Sequence, residues 1–181
     1  MNILILGHTG FIGSNIRDLL ASKAEYNLTT LASNDIDLTK QNSFNLLKEY
    51  LLPQDIVIFC SGIKKQLGDN LESFEKNLAL VNNFIKAVLA NSPKKIIFFS
   101  SASVYGEDID HKDLITEKTP VFPRTYYGIA KYTSENLLSK VCEFTETQLI
   151  NLRPPLIYGE GDLSRGYGPT GFVYKVLNNE K

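Results

Sequence analysis

A strand, a glycine-rich turn and a helix follow one another directly at the start of the chain. Residues 3–6, Ile-Leu-Ile-Leu, are a short apolar run typical of a strand buried on both faces of a parallel sheet. Gly7, Gly10 and Gly13 follow at three-residue spacing. Apolar residues then recur with the helical period and predict the inward face of a helix: Ile12, Ile16, Leu19 and Leu20. This order predicts an α/β fold whose sheet includes the N-terminal strand.

The glycine spacing also predicts a function for the turn. Gly7 suits a tight turn, Gly10 allows a pyrophosphate to approach the backbone, and Gly13 lets the helix pack closely on the sheet. The N-terminus of the helix would present unpaired N–H groups and a partial positive charge to phosphates. We therefore expect a dinucleotide site here, with His8 as a spacer that points to solvent.

The rest of the chain alternates strands with helices. Strands are predicted at 28–32, 55–60, 95–101 and 148–152. Helices are predicted at 71–90 and 126–144, with a shorter helical face at Phe44, Leu47 and Leu51. The inward residues predicted for the helix at 71–90 are Phe74, Leu78, Val81, Ile85 and Val88 or Leu89. Crossovers of this length predict a doubly wound parallel sheet with helices on both faces.

Composition excludes several classes of protein. The 181 residues carry a net charge of −1 and a pI near 6.1, which gives no basic surface for nucleic acid or an anionic membrane. No apolar stretch reaches the ~20 residues of a membrane span, and because the first residues already predict a strand we expect no signal peptide. Cys60 and Cys142 lack metal-ligand spacing, so we expect no metal and two reduced packing cysteines in a cytoplasmic protein.

Tyr127 and Lys131 lie four residues apart on a predicted helix and therefore share one face. A tyrosine phenol has an ordinary pKa of ~10, and an adjacent fixed cation favours the phenolate. The pair is thus a candidate proton carrier that could work near neutral pH.

Together the two motifs resemble the short-chain dehydrogenase/reductase superfamily. The detailed match is to its extended branch, the NAD(P)-dependent nucleotide-sugar epimerases, dehydratases and reductases. Three further segments resemble that branch in the family's order: residues 99–106, Phe-Ser-Ser-Ala-Ser-Val-Tyr-Gly; residues 116–131, with Thr116-Glu117 and Pro123 ahead of the Tyr127 motif; and residues 152–159, Leu-Arg-Pro-Pro-Leu-Ile-Tyr-Gly. The resemblance covers nearly the whole chain and implies a Rossmann-like sheet.

The resemblance implies a role for each catalytic position. Tyr127 would move a proton to or from a sugar hydroxyl, and Lys131 would lower the tyrosine's pKa and bind the nicotinamide ribose. Ser101 would hydrogen-bond the reacting oxygen. Strand alternation makes Ser103 the second candidate and turns Ser100 to the opposite face. Tyr126 is expected to pack or to form a pocket wall, and Arg153 to be structural or to face substrate.

The resemblance also implies contacts to NAD or NADP. The expected contacts are Gly7, Thr9, Gly10, Phe11, Ile12, Gly13, Ser33, Asp37, Leu38, Cys60, Ser61, Gly62, Asn77, Ser100, Tyr127, Lys131 and Pro154. Asp37 and Leu38 would touch adenine, although Asp37 could instead start a helix. Asn77 would lie beside the cofactor from the long helix, or else be a solvated polar residue.

The residue that would bind the adenosine ribose differs from the simplest NAD pattern. An NAD site usually has an acidic residue at the end of the second strand, ~20 residues after the glycines. That position falls at Ala32 or Ser33, and a slipped alignment would bring Asp35 there instead. We therefore expect NAD and NADP to bind within about tenfold of each other.

The resemblance leaves the reaction open within the branch. No carboxylate pair adjoins the Ser101 position, which counts against a 4,6-dehydratase and leaves an epimerase or a reductase, with the epimerase favoured. A non-catalytic NAD(P)-binding sensor or scaffold is the alternative from another class. The implied partners are a nucleotide-sugar substrate and a second copy in a homodimer.

Domain organisation follows from a glycine-rich stretch. Residues 159–172 hold five glycines and predict a boundary. We expect an NAD(P)-binding domain at 1–158 and only the start of a substrate-binding region at 159–181, with a first helix at 171–181. Because such a region supplies most of the sugar pocket in the branch, we expect a truncated form that binds cofactor and turns over little substrate.

Overall fold

Five parallel strands and five α-helices alternate in the computed structural model, which describes residues 1–107, 114–162 and 168–179. The strands are β1 (Asn2–Leu6), β2 (Asn27–Leu31), β3 (Ile56–Phe59), β4 (Lys95–Phe99) and β5 (Gln148–Leu152). The helices are α1 (Phe11–Ala21), α2 (Phe44–Leu47), α3 (Leu71–Ala90), α4 (Tyr126–Thr145) and α5 (Gly168–Leu177). Short 3₁₀ turns span Lys48–Tyr50, Lys65–Leu67 and Ala102–Tyr105.

The strands form one sheet in the order β2-β1-β3-β4-β5, with every neighbouring pair parallel. Successive residues of β1 serve opposite faces: Leu4 and Leu6 pack against the core that includes α3 and α4 residues, whereas Ile3 and Ile5 pack towards α1. α2 lies on the same face as α3, because Phe44 packs on that core. The predicted doubly wound sheet is confirmed.

The sequence predicted where α3 begins and ends, but not which of its side chains are buried. α3 spans the predicted residues, but its buried side chains are Asn77, Leu80, Val81, Asn83, Phe84, Ala87 and Val88. Phe74, Leu78 and Ile85 are only half-buried, and Leu89 is exposed. The predicted face was therefore rotated: it omitted the buried Leu80, Phe84 and Ala87 as well as the two asparagines. One of these, Asn83, donates to the carbonyls of Leu38 and Lys40. Leu19, predicted inward on α1, is also exposed.

Strands β2, β3 and β4 each end one or two residues earlier than predicted. Their carboxyl ends therefore turn into loops that carry the candidate site residues. α5 begins within the predicted glycine-rich boundary, of which residues 163–167 lie outside the described part, as do residues 180–181 of the predicted final helix. The division at residue 158 stays a prediction.

The described residues contain neither a candidate membrane-spanning helix nor a candidate metal site. None of their helices combines the length and apolar character needed to cross a membrane. Within the same residues, no group of three or more His, Cys, Asp or Glu side chains is placed to hold a metal ion.

Candidate active site

A cavity of about 690 Å³ lies at the carboxyl ends of the strands. All catalytic and cofactor residues predicted from the sequence line it, except Asn77. In a parallel α/β sheet this edge is where ligands bind, at the point where strand order reverses. Here β1 lies between β2 and β3, so the glycine turn after β1 stands at that point.

The glycine turn has the geometry that its spacing predicts. Gly7 has φ +90°, a conformation that favours glycine, and its N–H donates to the Leu31 carbonyl at 2.8 Å. A Cβ on Gly13 would lie 2.2 Å from the Gly7 oxygen, so α1 packs on the turn too closely for any side chain. A Cβ on Gly10 would meet only that same oxygen, at 3.5 Å, an ordinary contact. The fold itself would therefore tolerate a side chain at Gly10, and the space that the glycine leaves open belongs to the cavity.

His8 does not point to solvent as predicted. Its side chain is 18% exposed, its Nε2 lies 3.9 Å from Asp35 Oδ2, and its Nδ1 lies 3.4 Å from an Arg17 nitrogen. Asp35 also accepts from the Ala32 N–H at 2.8 Å, which folds its carboxylate back onto the end of β2. Ser33, in contrast, lines the cavity. The structure thus places Ser33, not Asp35, at the cavity wall.

Asp37 and Leu38 line the cavity beyond Ser33. Asp37 does not start a helix; its carboxylate accepts from both the N–H and the hydroxyl of Thr39, at 2.9 and 2.6 Å. The Thr39 hydroxyl hydrogen bond is the largest cause that lowers the pKa of Asp37. Leu38 is buried, so an adenine ring contact there would be apolar.

Asn77 is neither solvated nor at the cavity wall. It is 6% exposed, and its amide pairs with the backbone of Ile63, accepting from the N–H at 2.9 Å and donating to the carbonyl at 3.1 Å. Asn77 therefore fixes the loop after β3, which carries Ser61 and Gly62 along the cavity. Its direct contact with cofactor stays a prediction.

Tyr127 and Lys131 share the cavity face of α4, as their spacing predicts. The Lys131 Nζ lies 5.7 Å from the centre of the Tyr127 ring and donates to the Phe99 carbonyl at 2.7 Å. Lys131 is 6% exposed, and burial lowers its pKa to about 8, against the opposing effect of Cys60 and Glu135. A buried ammonium beside a phenol is suited to stabilising the phenolate.

Cys60 is more than a packing residue, because it also lines the cavity beside Lys131. Burial raises the pKa of its thiol to about 12, although the Lys131 charge acts in the opposite direction. The thiol is therefore neutral at physiological pH. Cys142 is a free thiol in the core, as predicted.

The three serines after β4 lie in different environments. Ser101 and Ser103 both line the cavity, with their hydroxyl oxygens 3.0 Å apart. They are not on one strand face as predicted: β4 ends at Phe99, and Ser101 instead caps the 3₁₀ turn that contains Ser103. Ser100 also borders the cavity, but its hydroxyl is buried and donates to Glu135.

Sequence reasoning missed the buried network around Glu135. Arg153 binds both carboxylate oxygens of Glu135 and also donates to the Tyr105 hydroxyl at 2.8 Å. The hydrogen bond to Glu135 raises the pKa of Arg153 above its ordinary value. Arg153 does not line the cavity, which favours the structural role, the first of its two predicted ones. The only local signal was a glutamate four residues after Lys131 on the helix face that the fold buries.

Asp69 was also missed, and it supports the start of α4. Its carboxylate accepts from the Tyr127 N–H at 3.0 Å, while the Thr125 hydroxyl accepts from the Gly128 N–H. Both acceptors satisfy N–H groups of the first helical turn. Tyr126 packs against Phe74 with ring centres 6.2 Å apart, which settles its two predicted roles in favour of packing.

The residues present fit a dinucleotide. α1 has no side-chain cap on its N-terminus, so its first N–H groups face the cavity beside Gly10 without a side-chain acceptor. A Cβ on Gly62 would lie 3.3 Å from the Lys131 Nζ, which is a tight contact, so the glycine keeps the space beside this ammonium open. Phosphate would lie at the glycine turn and a ribose near Lys131.

Comparison with curated proteins finds related epimerases. A UDP-glucose 4-epimerase of Vibrio cholerae is 25% identical over 174 residues, which cover 88% of this chain and 53% of that protein. A Bacillus subtilis (strain 168) protein described as an uncharacterized UDP-glucose epimerase is 26% identical over 184 residues, covering 88% of this chain and 57% of that protein. The chain thus spans about half the length of these relatives.

Solved structures show the same fold. The UDP-glucose 4-epimerase of Thermus thermophilus, in complex with NAD, superposes with a TM-score of 0.81 at 23% identity, over 99% of this chain and 64% of that one. The model of the NAD dependent epimerase/dehydratase family matches residues 3–180. The predicted resemblance and the predicted nicotinamide cofactor of the family are confirmed: this chain belongs to the NAD dependent epimerase/dehydratase family, in the extended branch of the short-chain dehydrogenases/reductases.

Proposed function

We propose that the protein is a nucleotide-sugar epimerase that uses NAD or NADP. The observation that carries this proposal is the placement of Ser101, Tyr127 and Lys131 on the wall of the cavity that also contains the glycine turn. One cavity can then hold the phosphates at one end and the reacting carbon at the other. Several relatives bear epimerase names, which supports the same reaction class.

In this proposal the nicotinamide ring supplies a hydride acceptor and donor. Tyr127 takes the proton of a sugar hydroxyl and later returns it. Lys131, buried and fixed by the Phe99 carbonyl, keeps a positive charge next to the phenol and binds the ribose. Ser101 holds the reacting oxygen at hydrogen-bonding distance from Tyr127, so that the hydride and the proton leave neighbouring atoms.

A reductase of the same branch is the second candidate. At residues 101–103, all of which the structure describes, the site has Ser101, Ala102 and Ser103 rather than a pair of adjacent carboxylates, which agrees with either an epimerase or a reductase and disfavours a dehydratase. A non-catalytic NAD(P)-binding role is disfavoured because the Tyr127 and Lys131 pair is present and faces the cavity. Cytoplasmic location and a homodimer stay predictions.

The test begins with cofactor binding by the chain itself. We expect NAD or NADP to bind in a calorimetric titration. Turnover of UDP-, dTDP- and GDP-sugars is then measured on the chain and, where the gene extends beyond it, on the full gene product. Because the chain spans about half of its relatives' length, we expect little turnover by the 181 residues alone.

Tyr127→Phe tests the proposed mechanism. The change removes the proton carrier and keeps the ring, so turnover should fall by ~10²–10⁴-fold while cofactor affinity stays nearly unchanged. Tyr132→Phe, on the same helix but outside the cavity lining, is the matched control and should retain activity. A loss below tenfold in Tyr127→Phe would contradict its role, and interconversion of no nucleotide sugar by the full gene product would contradict the epimerase.

A further inference from the structure

Four polar side chains form a continuous hydrogen-bonded line along the cavity wall: Ser101, Ser103, Glu107 and Lys65. The Ser101 and Ser103 hydroxyl oxygens lie 3.0 Å apart, and the Ser103 hydroxyl lies 2.5 Å from Glu107 Oε1. The other oxygen of Glu107 is bound by the Lys65 ammonium. All four residues line the cavity, and they come from two loops, one after β3 and one after β4.

The directions of these hydrogen bonds follow from counting hydrogens. An ionised carboxylate only accepts, so Ser103 must give its single hydroxyl hydrogen to Glu107. The hydrogen between the two serines must then come from Ser101. The acceptor at one end of the line therefore decides the orientation of the hydroxyl at the other end.

Ser101 is left with one free acceptor site. Its oxygen has one hydrogen and two lone pairs. The hydrogen points to Ser103, and one lone pair accepts from the Ser103 N–H at 3.1 Å. The remaining lone pair is the only group that Ser101 can offer to a molecule in the cavity.

Lys65 keeps Glu107 in the accepting state. Burial alone would raise the pKa of the Glu107 carboxyl, but hydrogen bonds from Lys65 and Ser103, together with the Lys65 charge, outweigh it and lower the pKa. Each partner is about one-third exposed, so the pair lies at the cavity edge rather than in the core.

We propose that Glu107 is a positioning residue which, held by Lys65, orients Ser101 through Ser103 so that Ser101 accepts a hydrogen bond from a substrate hydroxyl. The inference rests on the proposed function, because it assumes that the reacting oxygen meets Ser101. It deepens that function, since it assigns Ser101 the role of acceptor towards the hydroxyl of a bound sugar alcohol.

Glu107→Gln should reverse the direction of the hydrogen bonds from residue 107 to Ser101, because an amide of nearly the same size can donate where the carboxylate only accepts. The Lys65 ammonium only donates hydrogen bonds, so it favours the amide orientation that turns the oxygen to Lys65 and the NH₂ to Ser103. Ser103 then donates to Ser101, which loses its acceptor role towards substrate. We expect kcat with a sugar alcohol to fall about tenfold, the value of roughly one hydrogen bond, with little change in KM or in cofactor affinity.

Replacing Lys65 by methionine in the Glu107→Gln variant should restore most of the lost kcat. In Lys65→Met with Glu107→Gln, the amide is free to rotate and accept from Ser103 again, so most of the lost kcat should return. A merely structural role for Glu107 predicts the opposite, because the second change would add to the damage. Glu72→Gln, in an exposed pair with Lys76 on α3, is the matched control and should leave kcat unchanged.

An NMR titration of the 181-residue chain tests the line without turnover. With ¹³C-labelled glutamate, the signal of Glu107 is identified by its absence in Glu107→Gln. Ser103→Ala and Lys65→Met should each move the Glu107 midpoint to higher pH, because each removes a donor to the carboxylate. Unchanged midpoints would overturn the proposal.

The outcomes separate the two proposals. No turnover by the full gene product contradicts the epimerase, and the titration still decides the hydrogen-bond line. Turnover with no recovery in the double variant, or with Glu107→Gln as active as Glu72→Gln, overturns the positioning role alone.

Discussion

Arg153 holds Glu135 through two hydrogen bonds, from Nε at 2.9 Å and from Nη2 at 2.6 Å. The pair joins the end of β5 to the middle of α4, and Ser100 and Tyr105 complete its hydrogen bonds from the loop after β4. It therefore holds together the three elements that carry Ser101, Lys131 and the cavity wall. A buried pair of this kind is costly to break from one side, because the remaining charge has no partner.

Glu135→Gln should lower the free energy of unfolding by about 3 kcal/mol, since it leaves the Arg153 charge without its carboxylate. Urea denaturation measures this difference. Glu143→Gln, on the same helix, breaks the exposed pair with Lys140 and should cost no more than about 0.5 kcal/mol. Equal effects of the two variants would show that the Glu135 network contributes nothing beyond a surface ion pair.

Gly10→Ala and Gly13→Ala should separate binding from folding. A Cβ at Gly10 meets only an ordinary contact, so stability should change little, whereas cofactor affinity should fall at least tenfold as the methyl group occupies space at the phosphates. A Cβ at Gly13 would lie 2.2 Å from the Gly7 oxygen, so Gly13→Ala should destabilise the fold although alanine favours helices. Calorimetric titration and thermal unfolding check both; unchanged cofactor affinity in Gly10→Ala would place the phosphates elsewhere.

NAD and NADP should bind the wild type within about tenfold of each other, because Ser33 lines the cavity and Asp35 is folded back onto Ala32. Ser33→Asp should weaken NADP binding more than tenfold, through repulsion of its 2′-phosphate, and affect NAD much less. Ser22→Asp, exposed at the end of α1, is a control for added charge. A hundredfold preference of the wild type for NAD would mean that Asp35 reaches the ribose after all.

The stability contributed by Lys131 should rise with pH. Its pKa falls from 10.5 to about 8 on folding, so the folded state carries the burial penalty of the ammonium below pH 8 and loses it by pH 10.5. The free energy of unfolding of wild type minus that of Lys131→Met should therefore increase between pH 8 and pH 10.5, by on the order of 3 kcal/mol. Urea denaturation across this range measures it, with the exposed Lys140→Met as the control that should show no such change.

Local sequence patterns were sufficient to predict the parallel sheet, most of the element bounds and the edge of the sheet at which the cavity lies. Apolar runs and glycine spacing are local patterns, and the carboxyl ends of parallel strands meet at one edge in any fold of this order. For that reason Gly10 could be placed at the carboxyl edge of the sheet before any distance was known, and the family resemblance placed Ser101, Tyr127 and Lys131 beside it.

The pairing of polar side chains, in contrast, became visible only in the folded chain. Lys65 and Glu107 are 42 residues apart, Asp69 and Tyr127 are 58 apart, and neither pair leaves a periodic trace in the sequence. The inward position of Asn77 and Asn83 was missed for the same reason, because an asparagine is buried only when a distant backbone satisfies its amide. Hydrophobic patterning acts along one element, whereas the direction of a hydrogen bond depends on a partner that the fold alone brings within about 3 Å.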